Sequence, residues 1–340
     1  MPTMKDRRIV TVFGASGFVG RHLVRRLAAD GAIVRVAVRD TEAALFLKPM
    51  GDLGQIVPVA ADVTNRATVD AAVAGADAVV NLVGILAEWG KRTFQAFHAE
   101  GAANVAAAAR DAGIGALVHM SALGADADSQ SDYARTKAEG EAAVRAAFPA
   151  AVIVRPSVIF GPEDGFFNLF AGLTRWSPVL PVFGCPVIPA VKVGGRFGLD
   201  VDFYGDGGTK FQPVYVGDVA EAIFRALGRP DCAGKTYELG GPRVYGFKDV
   251  MDLILRIIDR RRILAPVPFA VGSIMGFFLE WWPKPLLTRD QATLLRRDNV
   301  VADGALGLAD LDIVATPAEA VLPGYLARFR PAKRQTTRTA

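Results

Sequence analysis

Up to Arg155 the chain alternates two hydrophobic periods. Short apolar, mostly β-branched runs at residues 8–13, 33–38, 56–61, 78–82, 116–120 and 151–154 read as strands. Between them, residues 18–29, 67–74, 94–112 and 133–147 space their apolar positions as helices do, with Val19, Leu23, Val24 and Leu27 as the clearest stripe. Strands that are apolar on both faces, separated by helices, predict parallel pairing with right-handed crossovers. The expected fold class is therefore α/β, a doubly wound parallel sheet with a smaller C-terminal lobe.

After Arg155 and Pro156 the texture changes. Glycine and proline cluster between Gly161 and Gly208, without a clean period. Beyond them a strand is expected at 211–216, a helix at 219–227, a strand at 236–239 and an amphipathic helix at 247–261. The division expected from this is a dinucleotide-sized domain at 1–160, a loop-rich and helical lobe at 161–330, and a basic tail at 331–340. The strands near 211–216 and 236–239 would return to the first domain's sheet or to its edge.

Residues 263–283 hold one charged side chain, Glu280, and end in Trp281, Trp282 and Pro283. Pro266, Pro268 and Pro283 confine any helix to about 269–282, too short to cross a bilayer. A buried or groove-lining helix is the first reading. A helix lying at a membrane surface, with its tryptophans at headgroup depth, is the second.

Composition narrows the function classes. The chain has 340 residues, 51% hydrophobic and 22% charged, which suits a folded protein with a large core. The net charge of +4 comes without a compact basic block interleaved with aromatics, so nucleic acid is not an expected partner. Two cysteines without a CxxC pair and three scattered histidines give no metal-site pattern, and no metal is expected. Free thiols fit a reducing compartment. The first eight residues leave no room for a targeting segment ahead of the first strand.

Candidate chemistry begins where the first strand ends. Gly14, Gly17 and Gly20, with Ser16, Phe18 and Val19 between them, form a GxxGxxG turn between a strand and a helix. In that setting the first glycine permits the turn, the second lets backbone approach a pyrophosphate, and the third lets the helix pack on the strand. The helix N-terminus offers free N–H groups and a partial positive charge to the phosphates. This is the Rossmann arrangement. The second strand ends in Val38 and Arg39 where an NAD site would place an acid, and a guanidinium there suits a 2′-phosphate. NADPH is expected over NADH, with Asp40 the residue that would argue for NADH. Lys48 reads as a solvated lysine. Asp62 and Val63 follow the third strand, on the adenine side. Leu82, Val83 and Gly84 end the fourth, beside the middle of the cofactor.

Ser121 ends the fifth strand, and Tyr133 and Lys137 follow at i, i+4 spacing on one helix face. A serine hydroxyl holding an oxygen, a tyrosine beside an ammonium that lowers its pKa, and a nicotinamide make a hydride-transfer site. The three are expected at the nicotinamide pocket as cofactor contacts and as a catalytic set, vestigial or active. His119 lies within a strand pattern and reads as a packed core histidine.

These residues together resemble the extended and atypical short-chain dehydrogenase/reductase superfamily, of the NAD-dependent epimerase/dehydratase kind, over about residues 8–330. The motifs are GASGFVG at 14–20, Ser121, YARTK at 133–137, VRPSVIFGPED at 154–164 and FQPVYVGDVAEAI at 211–223. The last two, with PKPLLT at 283–288 and Asp290-Gln291, are similar to the nucleotide-binding accessory subunits of respiratory complex I, NADH:ubiquinone oxidoreductase. The resemblance implies Pro156 as a further cofactor contact and tightly held NADPH. It also implies a structural or assembly role among hydrophilic-arm subunits near the membrane, without turnover of its own. With no presequence, the reading favours a peripheral protein on the cytoplasmic face of a bacterial inner membrane, with 263–283 touching the membrane surface. The alternative is a free NADPH-dependent reductase, epimerase or dehydratase using the Ser-Tyr-Lys set. A redox-sensing module without catalysis ranks third. Residues 187–204 depart from the family pattern as an insertion, either a substrate-side lid or a partner-contact hairpin.

Overall fold

A computed structural model describes residues 7–186, 190–192, 200–281 and 285–331. Seven parallel strands form its central sheet. In chain order the first elements are β1 (Ile9–Phe13), α1 (Phe18–Ala29), β2 (Ile33–Val38), β3 (Ile56–Ala60), α2 (Arg66–Val73), β4 (Ala78–Asn81), α3 (Gly101–Asp111), β5 (Ala116–Met120), α4 (Asp132–Ala147) and β6 (Val152–Pro156). The sheet order is Thr236–Leu239, β6, β5, β4, β1, β2, β3. Successive connections run outward in opposite directions from β1 and β4, which leaves a crevice beyond their carboxyl ends. The doubly wound α/β class expected from the periodicity is the class observed.

Burial explains the continuous apolar strands. Val10, Val12, Val34, Val36, Val80, Val118 and Val154 are fully buried beneath α1 and the helix Val216–Gly228. The opposite face closes under α2, α3 and α4 with Val79, Val105, Leu117 and Ile153. Helix Val216–Gly228 lies along α1, fixed by Arg26 Nε to Glu221 Oε2 at 2.6 Å and by the Arg26 guanidinium 3.5 Å above Phe224. A stretch far along the chain thus supplies one layer of the first domain's core.

Four local expectations change. The helix expected at 94–112 opens with a π-helical turn, Gln95–Glu100, before α3. The strand expected at 211–216 is two short strands instead. Lys210–Phe211 pairs antiparallel with Tyr245–Gly246, and Val214–Tyr215 pairs parallel with Ile159–Phe160. Pro213 between them has no N–H for a continuous ladder. The helix expected to reach 261 ends at Ile257, and Asp259 takes a left-handed φ of 51°. Within 161–208, the helix Phe167–Leu173 and the strand Val179–Phe183 stand where no period was legible.

The apolar segment after 263 divides at Pro268. Ile263–Val267 pairs parallel with Val179–Phe183, and a helix covers Phe269–Leu279. The expectation of a buried helix is corrected: its buried residues are Gly272 and Gly276, while Val271, Ile274, Phe277 and Phe278 are exposed. The two glycines, one turn apart, make the closest contacts, beside the partly buried Met275 and Leu279. A Cβ on Gly272 would meet Phe183 at 3.3 Å, and one on Gly276 would meet Thr288 O at 2.9 Å. Close approach through glycine turns the large side chains outward. Among the described residues no helix is long and apolar enough to cross a membrane. Trp281 is exposed, while Trp282 to Lys284 and the tail from 332 lie outside the described residues. The 187–204 segment contains an antiparallel pair, Ala190–Lys192 with Asp200–Asp202; residues 187–189 and 193–199 lie outside the description.

Candidate functional site

The crevice begins at Gly14, whose φ of 75° turns the chain out of β1. Gly17 N donates to Gly14 O at 3.0 Å, closing the turn. A Cβ on Gly20 would lie 2.4 Å from Gly14 O and 2.5 Å from Ala15 O, so only glycine lets α1 start this close to the turn. A Cβ on Gly14 would press on the Leu82 carbonyl carbon at 3.1 Å. Gly17 is exposed, and Ser16 and Phe18 are half-buried around it, while Val19 is buried in the core. The Phe18 ring packs against Gly161. No side chain caps α1 and no acid occupies its first turn. Its N–H groups and dipole therefore face the crevice, which is the donor set a pyrophosphate requires.

Val38 is buried at the end of β2, and Arg39 is exposed with its guanidinium 5.6 Å from the centre of the Phe97 ring. Arg92 approaches the same ring at 5.8 Å. Asp40 is engaged locally, its Oδ1 accepting from Ala43 N at 3.0 Å. Asp62 Oδ1 accepts from Thr64 N and Thr64 Oγ1 at 3.0 and 2.8 Å, and Val63 O accepts from Asn104 Nδ2 at 2.9 Å. Leu82 N donates to Phe13 O, and Val83 N to Asn81 Oδ1 at 3.1 Å. These bonds fix the ends of β3 and β4 along the crevice.

At its other half, Lys137 of α4 connects the end of β5, just before Ser121, with Tyr133 and Gly84. Ser121 N donates to Val154 O at 2.8 Å, while its Oγ is buried without a hydrogen-bond partner among the described residues. Lys137 Nζ donates to Met120 O at 3.3 Å and lies 6.0 Å from the centre of the Tyr133 ring. A Cβ on Gly84 would sit 3.3 Å from that Nζ, so the ammonium faces the end of β4. Pro156 is buried at the end of β6, its carbonyl accepting from Leu123 N at 3.0 Å. The expected lowering of the tyrosine pKa is corrected. Burial, and then the charge of Asp290, push the Tyr133 phenol up to about 12. Burial pulls the Lys137 ammonium down to about 8, partly opposed by Glu141. At the phenol, burial outweighs the proximity of Lys137.

Several residues of this site carried no sequence signal. His98, from the π-helical turn, accepts from Ile85 N at 3.0 Å on Nε2, and its Nδ1 lies 3.2 Å from Thr136 Oγ1. Its ring stacks on Phe94 and meets Tyr133 edge-on at 5.2 Å. It ties the loop after β4 to the face of α4, and only the glycine at 140, where a Cβ would strike His98 O at 2.1 Å, hints at that crossing. Asn81 Nδ2 lies 3.2 Å from His119 Nδ1 across the β4–β5 pair. His119 is the packed core histidine expected, and burial, with Lys137 adding to it, holds its pKa at about 3.

That burial has a measurable consequence. His119 is neutral in the folded chain down to about pH 3, while the unfolded chain binds its proton from about pH 6.5. The stability it contributes is complete above pH 6.5 and is lost as pH falls toward 3. Between pH 6 and 4, His119→Gln should flatten the loss of unfolding free energy by roughly 1.4 kcal/mol per pH unit. Parallel denaturant-derived curves for parent and variant would contradict this.

The geometry fits a nicotinamide dinucleotide on two observations: a glycine cradle that any Cβ would fill, and an orphaned buried hydroxyl, Ser121 Oγ, at the far end. The match to known proteins agrees. The chain belongs to the NAD dependent epimerase/dehydratase family, whose model matches residues 10–240. More particularly, it is 35% identical over 334 residues to the Arabidopsis thaliana protein "NADH dehydrogenase [ubiquinone] 1 alpha subcomplex subunit 9, mitochondrial", covering 95% of this chain and 78% of that one. It is 39% identical over 180 residues to a ceramide reductase of Caulobacter vibrioides, covering 52% of this chain and 54% of that protein. The fold superposes on a Thermus thermophilus UDP-glucose 4-epimerase solved with NAD. There the TM-score is 0.62 at 19% identity, over 95% of this chain and 99% of that one.

Proposed function

We propose that this chain is an accessory subunit of respiratory complex I that holds NADPH as a structural cofactor and has no turnover of its own. The observation that carries the reading is the near full-length similarity to the NADH dehydrogenase alpha subcomplex subunit 9, spanning both the Rossmann crevice and the C-terminal lobe. Three features add to it. Arg39 and Arg92 approach one Phe97 ring, and among the described residues neither has a carboxylate partner, which suits a 2′-phosphate. Asp40, the acid that would favour a free 2′-hydroxyl, has its Oδ1 engaged by Ala43 N in a turn. The exposed apolar face of Phe269–Leu279, with Trp281 at its end and exposed Arg289, Arg296 and Arg297 nearby, suits the surface of an anionic bilayer. The protein would then sit peripherally beside hydrophilic-arm subunits at the membrane, in a bacterium on the cytoplasmic face of the inner membrane. The proposed cofactor contacts are Gly14, Ser16, Gly17, Phe18, Val19, Gly20, Arg39, Asp62, Val63, Leu82, Val83, Gly84, Ser121, Tyr133, Lys137 and Pro156.

Affinity purification from solubilised membranes tests the assembly: other complex I subunits and released NADPH should co-purify, and a chain recovered alone would contradict it. The nucleotide preference has its own test. Arg39→Asp should weaken NADPH binding by about 100-fold, the worth of one charge-assisted phosphate contact plus the new repulsion. NADH binding should change little. Equal losses for both nucleotides would contradict the 2′-phosphate assignment.

The second reading is a free reductase, favoured by the orphaned Ser121 hydroxyl and by Lys137, which bonds the carbonyl of the preceding Met120 and lies 6.0 Å from the centre of the Tyr133 ring. Bound in the crevice, the dinucleotide would supply hydride. Ser121 would hold the substrate oxygen, and the Tyr133 hydroxyl would give it a proton. Tyr133→Phe would abolish such turnover.

A further inference from the structure

The C-terminal ends of the strands that make the nicotinamide half of the crevice are bridged by one stretch of chain, residues 285–299. Gln291 Nε2 donates to Leu86 O after β4 at 3.4 Å. Arg297 pairs with Asp126 after β5. Asn299 Oδ1 accepts from Ser157 Oγ at 2.6 Å and from Val158 N at 3.1 Å, just beyond β6. Between these contacts, Asp290 takes the start of α4. Its Oδ1 accepts from Asp132 N at 2.7 Å, and its Oδ2 accepts from Ser131 Oγ at 2.9 Å and Tyr133 N at 3.4 Å. Ser131 Oγ in turn accepts from Ala134 N, so one carboxylate organises the whole first turn of the helix that bears Tyr133 and Lys137. An anion here also opposes the helix dipole.

The same strap is bonded to the exposed apolar helix. The short helix Arg289–Leu294 begins where Gly276 presses on Thr288 and Arg289. Arg289 pairs with Glu280 at 2.8 Å and lies 5.4 Å over the Phe277 ring, and Arg296 reaches Ser273 Oγ at 3.3 Å. Helix Phe269–Leu279 packs on the lobe through Gly272, Met275, Gly276 and Leu279 and turns Ile274, Phe277 and Phe278 to water. Each such side chain gains free energy in proportion to the apolar area it removes from water. A bilayer that takes up these side chains therefore favours the arrangement in which Gly276 stays against Thr288 and Arg289 of the strap.

From this continuity we infer that Asp290 is a positioning residue that couples seating of the Phe269–Leu279 face on a lipid bilayer to nucleotide binding at the Tyr133 and Lys137 end of the crevice. The inference rests on the nucleotide and membrane-surface readings above and adds a linkage between them. Linkage is reciprocal: whatever the bilayer adds to nucleotide affinity, the nucleotide adds to bilayer affinity.

The experiment uses the full chain, NADPH and vesicles of phosphatidylcholine with phosphatidylglycerol. Vesicles should tighten NADPH binding by about fivefold or more, and NADPH should raise vesicle binding by the same factor. Asp290→Ala should bind vesicles as the parent does while losing the coupling. Asp290→Asn, which keeps the size and one acceptor, should retain a reduced part of it. A general structural role would weaken both ligands independently and leave their ratio intact. If both ligands bind but ignore each other, or if Asp290→Ala keeps the full factor, the coupling is overturned alone. If NADPH or vesicles fail to bind the parent chain, the underlying reading falls and takes the coupling with it.

Discussion

Gly20→Ala is expected to cost at least 100-fold in nucleotide affinity. The added Cβ would lie 2.4 Å from Gly14 O, 2.5 Å from Ala15 O and 2.6 Å from the Ala15 carbonyl carbon. All three are backbone atoms of the turn itself, so no side chain can swing away. Either α1 withdraws from β1 or the turn opens, and both move the N–H groups aimed at the pyrophosphate. Displacements of about 1 Å in such donor sets cost on the order of 100-fold. Overpacking itself costs about 1–3 kcal/mol, only partly offset by the roughly 1 kcal/mol that alanine gains over glycine in a helix. Titration calorimetry with NADPH, beside thermal unfolding of the apoprotein, separates the two effects. Full affinity in the variant would mean the helix start is not the phosphate site.

Lys137→Met is expected to stabilise the apoprotein while damaging nucleotide binding. The ammonium is buried, its one hydrogen bond among the described residues goes to Met120 O, and Glu141 is already paired with Arg155 at 2.7 Å. Its pKa falls to about 8 in the folded chain against about 10.5 when unfolded. Below pH 8 both states carry the charge, and the folded state bears the full cost of burying it. Between pH 8 and 10.5 the unfolded chain binds the proton that the folded chain has released, so stability rises with pH. The shift corresponds to on the order of 3 kcal/mol. Methionine fills the same volume without the charge, so the variant should gain about 1–3 kcal/mol at pH 7, with the difference closing near pH 10.5. NADPH should bind about 10–100-fold more weakly, because the cation facing Gly84 is gone. A variant less stable than the parent at pH 7 would show the ammonium to be well solvated after all.

Much of this site was legible because its signals are local. Gly14 to Gly20 lie within one turn, Tyr133 and Lys137 within one helical turn, and both sit at strand ends that periodicity places. The illegible parts are those made by distance. Asp290 reaches Tyr133 across 157 residues, and nothing in its neighbourhood marks it as another helix's cap. His98 is a lone histidine in an alanine-rich helix, and its role depends on a π-helical turn that hydrophobic spacing does not encode. The direction of the Phe269–Leu279 helix was misread because continuous apolarity says how hydrophobic a segment is and not which side packs. Its glycines at 272 and 276 held that information. The Tyr133 pKa was misjudged by weighing a neighbouring charge before its burial.

The packing of Val216–Gly228 along α1 also bears on how the chain is made. The buried residues of that helix, among them Val219 and Ile223, belong to one core with Val12, Val34 and Leu23. Thr236–Leu239 then covers the open side of β6. A ribosome that has just finished β6 has therefore released a sheet with one face part-covered and one edge bare. At roughly 5–20 residues per second, several seconds pass before Leu239 follows. Throughout that interval the nascent sheet has a strand edge and an apolar face that only its own later residues will cover, the features that make a part-made chain prone to wrong pairing.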